Sequence, residues 1–157
     1  GGLVQISELL TTNSVIVPLI SSEKNGIITE LVDAAPFDFN YADKNRVISA
    51  VLEREKVTST GIGEGIAIPH AKCDIKEELV MSMGISIKPV DFQSIDNKPV
   101  QIFFMLLSRK DVSGLHIKML ARIAKLVRTE NFANNVLACK SSSDVIELFR
   151  KEESQLP

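Results

Sequence analysis

The sequence predicts a single-domain α/β layered fold, a mixed β-sheet flanked by helices. Three observations carry this expectation. Helical periodicity comes first along the chain, strand-like apolar runs occupy the middle, and helical periodicity returns in the last third. Hydrophobic residues make up 45% and charged residues 24% of the 157 positions, a balance that supports one ordinary core and argues against extended disorder. No repeat, low-complexity tract or Pro/Gly/Ser-rich linker divides the chain.

Val15-Ile16-Val17 is a short strand-like run ending at Pro18. Ser21 and Ser22 offer an N-cap to an amphipathic helix that carries Ile27, Ile28, Leu31 and Val32 and stops at Pro36. Asn40 and Asp43 can begin a second helix, with a buried stripe of Val47, Ile48, Val51 and Leu52. It runs out in Glu53-Arg54-Glu55-Lys56. A glycine-rich stretch, Ser59 to Gly65, leads into the apolar run Ile66-Ala67-Ile68, with Pro69-His70 at its end. Leu79 to Ile87 reads as a strand. Pro99 to Leu107 reads as a more buried one, because it is continuously apolar from Ile102 onward. Ser113 is placed to cap a helix that turns Leu115, Met119, Leu120, Ile123, Leu126 and Val127 inward. A shorter helix surrounds Phe132, Val136 and Leu137. The last, capped by Ser143 or Asp144, carries Val145, Ile146, Leu148 and Phe149.

A net charge of −2 gives no global basic field for nucleic acid or a membrane surface. No apolar run approaches the roughly 20 residues that span a bilayer, and a signal peptide is not expected, since the first residues lack a basic start followed by an apolar stretch. The two cysteines, Cys73 and Cys139, are too few for a disulfide framework. A cytoplasmic protein with free thiols is the expectation. Gly1-Gly2 is set aside as a cloning remnant.

Thr58 to Lys72 is the most unusual segment. Gly61, Gly63 and Gly65 alternate, so the backbone there can take positive φ and approach a ligand. Their amides, with the hydroxyls of Thr58, Ser59 and Thr60, could cradle an anion. The plainer reading is a tight bend between a helix and a strand. The segment lacks the Gly-Lys-Ser/Thr ending of a nucleotide loop and the spacing of a dinucleotide loop. His70 follows within five residues of Gly65, and a neutral imidazole is a competent nucleophile near pH 7. His116 shares the inward stripe of its helix, in the first turn. It reads either as a buried core histidine or as a neutral ring donating an N–H to an anion, the helix N-terminus disfavouring an added proton. Arg54 is either a solvated helix-end charge or a fork-shaped donor to phosphate or carboxylate. His70, Cys73, His116 and Cys139 could in principle ligate a metal, but no second tight pair exists, so neither a metal nor a cofactor is expected. Lys118, Arg122, Lys125 and Arg128 read as a solvated helix face; without aromatic interleaving they do not suggest a nucleic-acid partner.

The run Ser59-Thr60-Gly61-Ile62-Gly63-Glu64-Gly65-Ile66-Ala67-Ile68-Pro69-His70-Ala71-Lys72 closely resembles the phosphorylation-site signature of fructose/mannitol-type (type-2) EIIA domains of the bacterial phosphotransferase system, nitrogen-regulatory members included. Leu52 to Lys56, Val90 to Val100 and His116 to Ala121 are similar to that family's further segments. The resemblance implies one such domain over residues 3–153, with that family's fold. It implies that His70 takes a phosphoryl group from HPr or its nitrogen-system counterpart. His70 would then pass it to an EIIB cysteine or hold it as a signal to regulated targets. It further implies that His116 and Arg54 support the phosphoryl group, and that the protein can associate with a membrane permease complex. Glu64, where the fructose and nitrogen-regulatory branches commonly have asparagine, leaves the branch open. An apolar rim from Ile62 and Ile66 would suit transient docking.

Overall fold

The computed structural model describes residues 4–156; Gly1-Gly2 and the expected domain start at residue 3 lie outside them. In chain order the elements are α1 (Ile6–Leu9), a 3-10 turn (Thr12–Ser14), β1 (Val15–Leu19), α2 (Lys24–Ala34), α3 (Lys44–Val57), β2 (Gly61–Gly63), β3 (Ile66–Ala67), β4 (His70–Cys73), β5 (Leu79–Val90), β6 (Val100–Arg109), α4 (Ser113–Leu126), α5 (Phe132–Leu137) and α6 (Ser142–Ser154). The strands form one six-stranded mixed sheet in the order β1-β5-β6-β3-β2, and β4 pairs with β6 beyond β3. β5 and β6 are antiparallel, whereas β1 on β5 and β3 and β4 on β6 are parallel.

β6 explains why the apolar run is unbroken. Its side chains alternate between the two faces of a sheet covered on both sides. Ile102, Phe104 and Leu106 join the core beneath α1, α4, α5 and α6, where Phe104, Phe132 and Phe149 stack. Phe103, Met105 and Leu107 join the opposite core beneath α2 and α3. On that second face β5 presents small residues because α2 and β1 come close. Ser82 Oγ donates to the Leu31 carbonyl at 2.7 Å, and a Cβ on Gly84 would lie 2.7 Å from Leu19.

Several caps differ from the sequence expectation. Asp43 does cap α3, accepting from the Asn45 amide. α2 instead starts after Glu23 with no side-chain cap, and Ser21 Oγ is the acceptor for the Glu23 amide. Ser113 is the first residue of α4 rather than its cap, a position held by Val112, and its hydroxyl accepts from Lys72 Nζ. α6 is capped by Ser141, two residues before the expected Ser143. Ile48 and Leu52 lie only partly buried at the margin of the second core. Arg122 is not a solvated charge: its Nε lies 2.8 Å from Glu153 Oε2, on a carboxylate sealed inside the fold.

Candidate functional site

The glycine-rich segment is a β-hairpin, not an open loop. β2 and β3 pair antiparallel, and Glu64 and Gly65 between them have φ of 57° and 79°. Positive φ at both central positions is what a two-residue hairpin of matching twist requires. Gly63 is also left-handed, at 95°, next to a register shift. Gly61 serves differently: a Cβ there would sit 2.3 Å from Ser94 Oγ. Gly61→Ala should therefore cost about 1–3 kcal/mol by forcing the Asp91–Lys98 loop outward. Chemical denaturation of the variant against wild type measures this, and an unchanged midpoint would contradict the contact.

Two of the three hydroxyls expected to face an anion, those of Ser59 and Thr60, are turned to internal partners. Thr60 is buried; its hydroxyl and its amide both donate to the Glu55 carboxylate. Ser59 Oγ donates to the Phe92 carbonyl at 3.0 Å and accepts from the Gly61 amide at 3.1 Å. Glu55 in turn pairs with Lys24 Nζ at 2.9 Å, so α2, α3 and the start of the hairpin are tied by one buried carboxylate. Ile66, expected on an apolar rim, lies in the core, whereas Ile62 is exposed.

His70 opens β4 rather than ending β3. Its register partner on β6 is Leu106, and that of Lys72 is Ser108, so all four lie on the face covered by α4. There the first turn of α4 delivers His116. The two imidazoles meet edge to face with ring centroids 5.3 Å apart. His70 Nδ1 lies 2.7 Å from the Ile68 carbonyl oxygen. A carbonyl only accepts, so Nδ1 carries the proton and Nε2 keeps its lone pair. His116 is buried, with Nδ1 2.5 Å from Ser108 Oγ. Arg54, in the last turn of α3, donates to the Thr58 carbonyl at 2.9 Å while its charge acts on His70.

Burial pushes the His70 pKa below 6.5; the hydrogen bond to Ile68 opposes this, the Arg54 charge adds to it, and the Glu55 charge opposes it. The His116 pKa falls to about 4, mainly through burial, then through the neighbouring charges of His70 and Lys72. Both rings are neutral at pH 7. Their stabilising contribution is complete above the unfolded value near 6.5 and is lost as pH falls, until at about 4 the folded His116 also takes a proton. A proton NMR titration should place the His116 midpoint near 4 and that of His70 below 6.5; a His116 midpoint at or above the latter would contradict the account.

Cys73 points into the second core, away from His70, and its thiol is pushed up to about 11 by burial. Among the described residues no three His, Cys, Asp or Glu side chains are grouped to hold a metal, and no helix is long and apolar enough to cross a membrane. A cavity of about 510 Å³ lies beside Lys72, lined also by Tyr41, Arg46, Cys73 and Lys110; neither histidine lines it.

Residues 8–152 match the family model of the phosphoenolpyruvate-dependent sugar phosphotransferase system, EIIA 2. The chain belongs to this type-2 EIIA family. It is thus an EIIA component of the phosphotransferase system. It is 31% identical over 150 residues to the fructose-specific EIIABC component of Bacillus subtilis, covering 96% of this chain but 24% of that longer protein. It is 30% identical to the nitrogen regulatory protein of Bradyrhizobium diazoefficiens, covering 89% of this chain and 91% of that one. The EIIA fold is shared with the nitrogen regulatory protein IIA-Ntr of Neisseria meningitidis, at a TM-score of 0.84 and 23% identity over 92% of this chain and 98% of that one. It is also shared with IIA mannitol of Escherichia coli, at a TM-score of 0.72 and 20% identity over 89% of this chain and 98% of that one.

His70, His116 and Arg54 stand out in the sequence, whereas Ser108, Lys72 and Glu55, which the fold brings around them, do not. A serine closing an otherwise apolar strand was the available signal for Ser108.

Proposed function

We propose that His70 carries a phosphoryl group on Nε2, taking it from the phosphohistidine of an HPr-type carrier and passing it to the cysteine of an EIIB domain. The hydrogen bond from His70 Nδ1 to the Ile68 carbonyl is the observation that carries this reading. It leaves one lone pair, on Nε2, beside His116. As the Nε2–P bond forms, the P–N bond to the donor imidazole breaks and the donor leaves as a neutral ring. The proton stays on Nδ1, donated to the Ile68 carbonyl. The phosphorylated ring is then cationic, which makes it a good leaving group for the next transfer. Near neutral pH His70 starts uncharged, so its lone pair is available. Transfer needs in-line placement and charge stabilisation, and His116 and Arg54 are the groups that would supply the second. Exposed Ile62 and Ile117 offer apolar contact for transient docking of the carrier.

Similarity to nitrogen regulatory proteins along most of their length supports a second reading, in which phospho-His70 controls regulated target proteins. The Asp96 to Val100 segment leans toward that branch. The chemistry on His70 is the same in both. Incubation with phosphoenolpyruvate, enzyme I and HPr, followed by intact mass, tests the proposal: one acid-labile phosphate per chain is expected. Failure of wild type to gain mass under conditions that phosphorylate HPr would overturn it.

A further inference from the structure

We infer that Ser108 is a positioning residue that fixes the tautomer of His116, so that His116 presents an N–H from Nε2 toward the phosphoryl group of His70. The inference rests on the carrier reading for its purpose but not for its geometry. Ser108 is fully buried on β6, and Ser108 Oγ and His116 Nδ1 are 2.5 Å apart. A serine hydroxyl has one proton to give, and a ring nitrogen is either donor or acceptor. If Nδ1 donated, the Ser108 proton would need another acceptor. Among the described residues Ser108 Oγ has no hydrogen-bond partner besides His116. Stranding a buried hydroxyl proton is costly, so the hydroxyl donates and Nδ1 accepts. The His116 proton is thereby left on Nε2.

The two rings then hold opposite tautomers. His70 is pinned as Nδ1–H by the Ile68 carbonyl and offers a lone pair. His116 is pinned as Nε2–H by Ser108 and offers a donor. One ring binds phosphorus and the other can bind its oxygen, and the serine prevents them from competing for the same role. The register of β4 on β6 puts Ser108 two residues beyond Leu106, the partner of His70, which places the serine under His116.

Long-range proton–nitrogen NMR of the histidine rings in the intact, unphosphorylated protein reads the tautomers directly. One Nδ1–H ring and one Nε2–H ring are expected near neutral pH. In Ser108→Ala the His116 ring should lose its pure Nε2–H pattern while His70 keeps its own. Transfer from phosphorylated protein to a fructose-type EIIB domain should slow about tenfold, the equivalent of one lost hydrogen bond. Ser108→Thr, which keeps the hydroxyl, should restore the pattern. A wild-type His116 in the Nδ1–H form would overturn the inference. So would a Ser108→Ala variant with the wild-type ring pattern and rate. A wild-type protein that takes no label on His70 would instead sink the carrier reading, and the ring tautomers would still decide the role of Ser108.

Discussion

Glu153→Ala should destabilise the protein by about 3–5 kcal/mol, because it removes one partner from a buried ion pair and leaves the other uncompensated. Glu153 is 2% exposed, and its carboxylate has three partners. Its oxygens accept from the Ile6 and Ser7 amides at 2.7 and 2.8 Å and from Arg122 Nε at 2.8 Å. Ile6 and Ser7 open α1, so their amides have no intrahelical acceptor, and a carboxylate from the last helix supplies one. The alanine variant strands two amides and a mostly buried guanidinium at once. A thermal unfolding midpoint lower by roughly 6–20 °C is expected from a change of that size in a domain of this length. Glu153→Gln should recover only part of it, since an amide keeps the acceptor oxygen but lacks the charge. A variant melting within a degree or two of wild type would show that the α1 anchor is dispensable.

His70→Ala should abolish phosphoryl carriage rather than slow it. No neighbouring side chain can take over. His116 lies against Ser108 with its pKa held at about 4, and in the proposed arrangement its only lone pair is occupied. Thr60 and Ser59 have hydroxyls engaged with Glu55 and Phe92. Cys73 faces the opposite core. The variant should still fold, because His70 is only partly buried and begins an edge strand held to β6 by backbone pairing. Its mass should not rise after incubation with phosphoenolpyruvate, enzyme I and HPr, while its circular dichroism matches wild type. Equal labelling of the variant would move the nucleophile elsewhere.

The layered fold was legible because its determinants are local. Unbroken apolar sequence in β6 reports burial on both faces, and Asp43 caps the helix it precedes. What escaped was set by contacts distant in sequence. α1 exists because Glu153, 147 residues away, caps it, and no window around Ile6 contains that information. Ser113 looks like a cap in the sequence, but its hydroxyl is turned to Lys72 of β4 and Val112 holds the cap position. The glycines suggested an anion cradle through their freedom at positive φ. Two of the three use that freedom to turn a hairpin, and Gly61 makes room for Ser94. His70 and His116 could be named from their neighbours in sequence. Their meeting depends on the pairing of β4 with β6, which brings the His70 face of the sheet under α4.

The measurement that bears most directly on the role of His70 is nitrogen–phosphorus NMR of protein labelled with nitrogen-15 and phosphorylated through HPr. The account predicts a single phosphoryl group bonded to Nε2 of His70, with Nδ1 still protonated against the Ile68 carbonyl. Phosphorus bonded to Nδ1 of His70, or to any atom of His116, would contradict it.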